Sequence, residues 1–185
     1  MYKKPSPLLF LVSKSIVSLK KTVKMMEIYQ YSFKVGPESI DTLRHVNNRE
    51  YLRWMEMAAM KHASLLGCGA KECLQRGEVW VAREHWIEYL RPCYEGDELT
   101  IYSWVETMDG PRSLRRYAIK RGARLVCVGA TEWVYIDYKS GKVKDVPADV
   151  ASRFTIIGSD DERLIDLGIA RGVRFEPHYP TEKLP

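Results

Sequence analysis

The chain has no apolar run long enough to cross a membrane as a helix. Such a span takes about 18 uninterrupted apolar residues, and the longest run here is Leu8–Val12. Cysteine is sparse, four in 185 residues. Cys68, Cys73, Cys93 and Cys127 follow no metal-ligand spacing, because four residues separate the first two and no matching pair follows. They read as free thiols in a reducing compartment, so a cytoplasmic protein is the expectation. The four histidines are equally scattered, and neither a metal site nor a bound cofactor is expected. Internal repeats, low-complexity tracts and recognised nucleic-acid-binding motifs are missing too. What remains, 45% hydrophobic and 29% charged residues, suits one soluble globular domain with a substantial core.

Acid is missing from one stretch in particular. The net charge of +5 has its source in residues 1–26, where Lys3, Lys4, Lys14, Lys20, Lys21 and Lys24 face no carboxylate. The first acid is Glu27, so residues 27–185 carry 23 basic side chains against 24 acidic ones, a net charge of −1. A nearly neutral body argues against nucleic-acid binding. Within the leader, Leu9, Val12, Ile16, Leu19 and Val23 fall on one stripe of a helix. Lys14 interrupts the apolar stretch and no small-residue cleavage site follows, against a secretory signal; the absence of arginine argues against a transit peptide. A basic amphipathic helix on an anionic membrane surface is one reading. An upstream extension before a start at Met25 or Met26 is the preferred one.

From Glu27 the pattern changes. Tyr29, Tyr31, Phe33 and Val35 alternate with polar residues, as in a strand with one aromatic face, and Gly36-Pro37 stops it. A helix follows from Asn47 to about Leu66. Asn47 is its N-cap, Glu50 is placed to return a hydrogen bond, Val46 and Tyr51 occupy the staple positions, and Gly67 terminates it. Apolar residues surround most of its axis, which predicts a helix wrapped by protein. A short helical piece, Ala70–Gln75, precedes four strands at Val79–Leu90, Leu99–Met108, Ser113–Lys120 and Leu125–Tyr138, read as an antiparallel meander. A last helical turn is expected near Ala148–Phe154. The expectation is an α+β domain, one antiparallel sheet wrapped around one long central helix. It spans residues 27–154, between the leader and a tail at 155–185 to which no role attaches.

Functional groups are dense in one place only, Asp41-Thr42-Leu43-Arg44-His45-Val46-Asn47-Asn48. A carboxylate and an imidazole precede a helix start whose first amides lack intrahelical partners. Such amides can polarise a carbonyl or hold an oxyanion, and a carboxylate beside that carbonyl could activate water or attack directly. Together the parts suit acyl transfer or hydrolysis of an activated ester. The plainer reading is that Asp and Asn stand here as turn and cap residues.

The segment Asp41-x-x-x-His45-Val46-Asn47-Asn48-x-x-Tyr51-Leu52 resembles the signature of hot-dog-fold thioesterases, especially the bacterial acyl-CoA enzymes and the plant acyl-carrier-protein enzymes. The likeness continues through Ile87–Pro92, Gly96–Ile101, Val134–Asp137 and Val146-Pro147. It implies a hot-dog fold and hydrolysis of an acyl-CoA or acyl-carrier-protein thioester. It implies Asp41 as the catalytic carboxylate, with His45, Asn47, Asn48 and Arg49 positioning and polarising the thioester carbonyl. It also implies a homodimer or dimer of dimers, each site completed by the neighbouring subunit. Leu43 stands where the plant enzymes have Asn, which fits the bacterial branch better, and Ser39 where many relatives carry a second Asp.

Candidate substrate contacts are Tyr51, Arg83 and the basic run from Arg112 through Arg115 and Arg116. That run could meet coenzyme A phosphates or an acidic carrier protein, or be the solvated face of a sheet. Alternation sends Arg116 and Lys120 one way and Arg115 and Arg121 the other, so the run forms no single patch. Trp54, Met55 and Met57 read as core or acyl-pocket lining. The competing function is a non-catalytic acyl-thioester-binding module. A hot-dog dehydratase lacks support from the Asp-x-x-x-His-Val-Asn-Asn pattern.

Overall fold

A computed structural model describes residues 27–172; the basic leader lies outside them. The alternating aromatic segment forms β1 (Tyr29–Lys34), and a single 3₁₀ turn at Pro37–Ser39 leads toward α1 (Asn48–Leu65). Then come α2 (Ala70–Gln75), β2 (Glu78–Tyr89), β3 (Glu98–Asp109), β4 (Arg112–Arg121), β5 (Arg124–Asp137), α3 (Ala148–Ala151) and α4 (Glu162–Asp166). The five strands make one sheet in the order β1-β3-β4-β5-β2, each neighbouring pair antiparallel. Only β3, β4 and β5 form a meander. β2 and β3 are consecutive in sequence but do not pair; β2 lies at the far edge beside β5. Spacing and turns reveal strands, and sheet order is decided by long-range packing that neither encodes.

One face of the sheet holds α1. Tyr29, Leu99, Ile101, Tyr117, Ile119 and Cys127 close on Tyr51, Trp54, Met55 and Ala58 in one apolar cluster. Full burial of each large side chain there contributes roughly 1.5–3 kcal/mol. The tightest point is Gly129 on β5, where a Cβ would sit 2.7 Å from Met55 Sδ. Glycine at that position lets the helix approach the sheet. Trp54 and Met55 are therefore core, while Met57 is only partly buried beside them.

Both ends of α1 are stopped by local chemistry. Asn47 Oδ1 accepts from the Arg49 amide at 3.1 Å, as an N-cap does. The reciprocal half of the expected capping box is missing. The Asn47 amide already donates to Ser39 O at 2.8 Å, and the Glu50 carboxylate pairs with Arg53 at 2.7 Å instead. At the other end Gly67 adopts φ +68°. Its amide reaches Ser64 O, and the Cys68 amide reaches Ala63 O at 2.8 Å, the paired bonds of a Schellman motif.

The sheet wraps α1 on one side, as the pattern predicts, and leaves part of the helix open among the described residues. Met60 and Leu65 stand 57% and 55% exposed, and β2 is an edge strand with no further strand beside it among the described residues, Val81 and Tyr89 being exposed. The all-round apolar pattern thus marks a helix that the described residues cover mainly on one side.

The opposite face of the sheet is covered by the segment read from sequence as a tail without a role. Ile156 bridges Val105 in parallel, and Ile157, Leu164 and Ile169 bury Tyr102, Trp104, Ala118 and Val128. Lys120 donates to Leu167 O at 2.6 Å, and Arg116 to Arg171 O at 3.3 Å. No helix among the described residues is long and apolar enough to cross a membrane.

Candidate active site

Asp41 sits in a hairpin closed by a bridge between Ile40 and Val46. Its amide donates to His45 O at 2.8 Å, and the Arg44 amide returns to Asp41 O at 3.0 Å. The turn is tight enough to hold Arg44 at φ +61°, left-handed backbone that non-glycine residues adopt at a cost. The carboxylate completes the turn. Oδ1 accepts from the Leu43 amide at 2.8 Å and the His45 amide at 3.2 Å. No described residue donates to the second oxygen. The hairpin is pinned to the body by Val46 N–H donating to Cys93 O at 2.8 Å. Asp41 is therefore held by one oxygen and leaves the other available.

His45 contributes through its backbone. Its ring packs edge-on against Tyr94, centroids 5.2 Å apart. Of the amides that open the helix at Asn47, Asn48 and Arg49, two are engaged: Asn47 N–H by Ser39 O and Arg49 N–H by the Asn47 side chain. Asn48 N–H, at the first helical position, has no intrahelical acceptor. The donor set narrows to Asn48, and the Asn48 carbonyl is fixed by the Tyr89 hydroxyl at 3.2 Å. The Arg49 side chain is exposed and pairs with Glu50 at 3.4 Å. Tyr51, a candidate substrate contact, is 3% exposed and wedged between Trp54 and Tyr89, so it is core. Burial and Cys93 push its hydroxyl far above the usual tyrosine range.

The arginines part company. Arg83, at a bulge in β2, lies 3.6 Å from Glu132, and Arg112 lies 3.4 Å from the same carboxylate. Arg116 is on the sheet face away from α1, paired with Glu106 at 3.1 Å beneath residues 155–172. It is shut off from the helix side and cannot belong to a site there. Arg115 points the other way, into the space between α1 and the sheet, as strand alternation requires.

That space is a cavity of about 210 Å³ between the C-terminal half of α1, α2, the start of β2 and Phe154. Ala59, Ala63, Cys73, Val79, Trp80 and Trp133 make it mostly apolar, and Arg115 lines it. The Arg115 guanidinium donates to His62 Nδ1 at 3.0 Å and Ser103 Oγ at 3.1 Å. Sequence reading missed His62 and Ser103. The available signal was a lone histidine on the apolar face of α1, four residues beyond Ala58. The cavity and the Asp41 hairpin do not meet within one chain. From Asn48 to Ala59–Ala63 the helix rises about 17–22 Å at 1.5 Å per residue.

Among the described residues no group of three or more His, Cys, Asp and Glu side chains could hold a metal ion. All four cysteines are buried free thiols. Burial raises each thiol above its ordinary range, furthest for Cys127, which makes them poor nucleophiles.

A family model described as the thioesterase-like superfamily matches residues 35–154. Among solved structures, YbaW of Escherichia coli, a probable thioesterase, is 24% identical with a TM-score of 0.59, covering 67% of this chain and 94% of that one. The DHNA-CoA thioesterase of Staphylococcus aureus is 19% identical with a TM-score of 0.64, covering 76% and 95%. An acyl-ACP thioesterase of Bacteroides thetaiotaomicron is 16% identical with a TM-score of 0.67, covering 85% and 60%. These similarities share the sheet-around-helix fold described above. No curated protein sequence matches the chain significantly.

Proposed function

Because the chain belongs to the thioesterase-like superfamily, we propose that it hydrolyses an acyl-CoA, with Asp41 as the reacting carboxylate. The supporting observation is the division of labour in that side chain. Oδ1 is fixed by two backbone amides, and the other oxygen is left to work beside the start of α1. That oxygen takes a proton from water as it attacks the thioester carbon, or attacks the carbon itself. The Asn48 amide, at the positive end of the helix, stabilises the oxyanion. In the first route the carbon–sulfur bond breaks, the thiolate of coenzyme A takes the proton from Asp41, and the acid is released; in the second the thiolate leaves an acyl–Asp41 anhydride, which a water molecule hydrolyses to the acid and the free carboxylate. Nothing in this sequence of steps draws on a metal or a bound cofactor.

The acyl group needs a room, and the cavity described above has no lining residue from the Asp41 hairpin. The cavity is at the other end of α1. A second copy of the chain brings the two together. β2 is a 12-residue edge strand, and a bare edge of that length is a template for pairing. Antiparallel pairing of two β2 strands about their midpoints sets Tyr89 of one chain opposite Glu78 of the other. Tyr89 carries its own Asn48 by hydrogen bond, so this pairing lays one chain's helix start beside Val79 and Trp80 of its partner's cavity. The same contact covers Met60 and Leu65. A homodimer is favoured over a dimer of dimers, because residues 155–172 already cover the outer face of the sheet. Buried free thiols suit a reducing, cytoplasmic setting.

Asp41 Oδ1 also serves the turn, and this gives the second reading its footing: an acyl-thioester-binding module in which Asp41 only shapes a loop. Thiol release from a panel of acyl-CoA chain lengths separates the two. Hydrolysis by the unmodified chain and none by Asp41→Asn supports the enzyme. Saturable acyl-CoA binding with no thiol released supports the module and contradicts the enzyme. Equal turnover by an acyl-carrier-protein thioester would move the substrate assignment away from coenzyme A.

A further inference from the structure

Arg115 is out of place in an apolar cavity. Its side chain projects from the middle of β4 between sheet and helix, and the residue is 5% exposed. Its two hydrogen-bond partners are neutral, and the Phe154 ring, whose centroid lies 5.9 Å from the guanidinium carbon, offers it only a π face. A guanidinium only donates, so the His62 Nδ1 it contacts is the unprotonated nitrogen of a neutral ring. Ser103 is a hydroxyl. Both bonds are made by the same nitrogen, Nη1. The other N–H groups of the fork have no hydrogen-bond partner among the described residues, and no described carboxylate forms an ion pair with Arg115. Four other arginines of this sheet have a carboxylate: Arg116 has Glu106, Arg121 has Asp97, and Arg83 and Arg112 share Glu132.

A buried cation without a counter-ion is costly. The protein nevertheless holds it firmly, with His62 stacked on Tyr29 at 5.9 Å and edged against Phe154 at 6.3 Å. Burial alone pushes the Arg115 guanidinium toward losing its proton, but an arginine stays charged in proteins. The space it faces, about 210 Å³, is far more than the ~10–15 Å³ that one water needs. Its remaining walls, among them Ala63, Cys73, Val79, Trp80 and Phe154, offer an anion little besides apolar contact. A chain of several carbons fits that surface, and a carboxylate fits the fork, whose planar N–H pair matches two oxygens.

The geometry points to the cavity as a binding site for an acyl chain that ends in a carboxylate, with Arg115 as its anchor and His62 and Ser103 holding the guanidinium in place. This rests on the thioesterase reading for the word acyl: the substrate is then the monothioester of a dicarboxylic acid. The recognition itself does not depend on catalysis. The thioester end lies toward β2 and the partner's Asp41, and the free carboxylate lies deep, against β4.

The test is therefore a binding measurement on full-length Asp41→Asn, in which hydrolysis plays no part. Titration calorimetry compares hexanoate with hexan-1-ol, which share their length and differ in charge. Hexanoate is expected to bind at least tenfold more tightly. Arg115→Met should erase that preference while keeping hexanol affinity within about twofold, and it should not lower the unfolding midpoint, because it removes an uncompensated charge. Equal affinities for the two probes in the parent chain would overturn the proposal without reference to any variant. So would a preference that survives Arg115→Met. In the active chain, the monothioester of a six-carbon dicarboxylic acid should exceed hexanoyl-CoA in kcat/KM by a similar factor, and Arg115→Met should reverse the order. If neither thioester is hydrolysed but the hexanoate preference holds, the catalytic assignment fails and the anion site stands.

Discussion

The two ends of α1 are built in opposite ways. At the N-terminal end every important bond is local: Asp41 with Leu43 and His45, Asn47 with Arg49, the hairpin bridge across five residues. The groups are polar, partly exposed and arranged around backbone amides. At the C-terminal end Arg115, His62 and Ser103 meet from three different elements, and the cavity walls come from α1, α2, β2, β3, β4, β5 and the Phe154 segment. That end is apolar except for one cation, and Met60 and Leu74 stand exposed at its mouth. The first end has reactive groups; the second has the cavity, with no carboxylate among its described lining residues. The difference is the footing of the proposed dimer, in which each end supplies the half that the partner's other end lacks.

The comparison breaks most severely at the polar end. Asp41→Asn keeps the acceptor for Leu43 and His45, so the turn survives while the charge is lost. Activity should fall by about 10²–10⁴, with circular dichroism and sedimentation unchanged; a parallel loss of folded structure would show that the carboxylate is merely structural.

At the apolar end, Glu78 opens β2 beside the cavity. Burial opposes its ionisation, but hydrogen bonds from Lys144, Tyr135 and Arg76 outweigh that and hold it at about 2. A depressed carboxylate stabilises the fold above its unfolded value near 4.5, and that contribution disappears as the pH falls toward 2. Glu78→Gln should cost about 1.5–3 kcal/mol at pH 7. Thermal unfolding midpoints of variant and parent should converge near pH 2; a gap independent of pH would contradict the ionic account.

Between the two ends lies the seam at Gly129. A Cβ there would meet Met55 Sδ at 2.7 Å, so Gly129→Ala should destabilise by about 1–3 kcal/mol. Denaturant titration measures it, and a neutral result would mean that Met55 swings aside freely. The smallest effect belongs to the cap. Asn47→Ala should cost ~1 kcal/mol in the same titration, with activity lowered little beyond that if Asn48, and not Arg49, is the oxyanion donor.

What was legible in the sequence follows the same division. Strand alternation, the N-cap, the Gly67 stop and the Asp41 cluster depend on neighbours a few residues apart, and each is where the pattern placed it. The displacement of β2 to the sheet edge was not legible, because pairing partners lie 38 to 59 residues apart in sequence, from Tyr89–Cys127 to Glu78–Asp137. Arg115 and Arg116 look alike in sequence and end on opposite faces, one in the cavity and one under residues 155–172. Alternation foretold their separation but not which face held the helix. His62 stood out from its apolar neighbours only faintly, and its meaning came from Arg115, 53 residues away. The segment 155–172 carried no periodic signal, since its burial rests on Ile157, Leu164 and Ile169, too widely spaced to read as one face.

The claim that one chain's Asp41 works on its partner's cavity is tested most directly by subunit mixing. One subunit carries Asp41→Asn and the other Ala63→Trp, which fills the cavity; each homodimer should be inactive toward acyl-CoA. A purified heterodimer of the two, selected by distinct tags, contains one pairing of intact Asp41 with intact cavity across the interface. It should recover about half of the parent's thiol release, because one of two shared sites is whole. No recovery in a stably assembled heterodimer would place both halves of the site within a single chain and contradict the account.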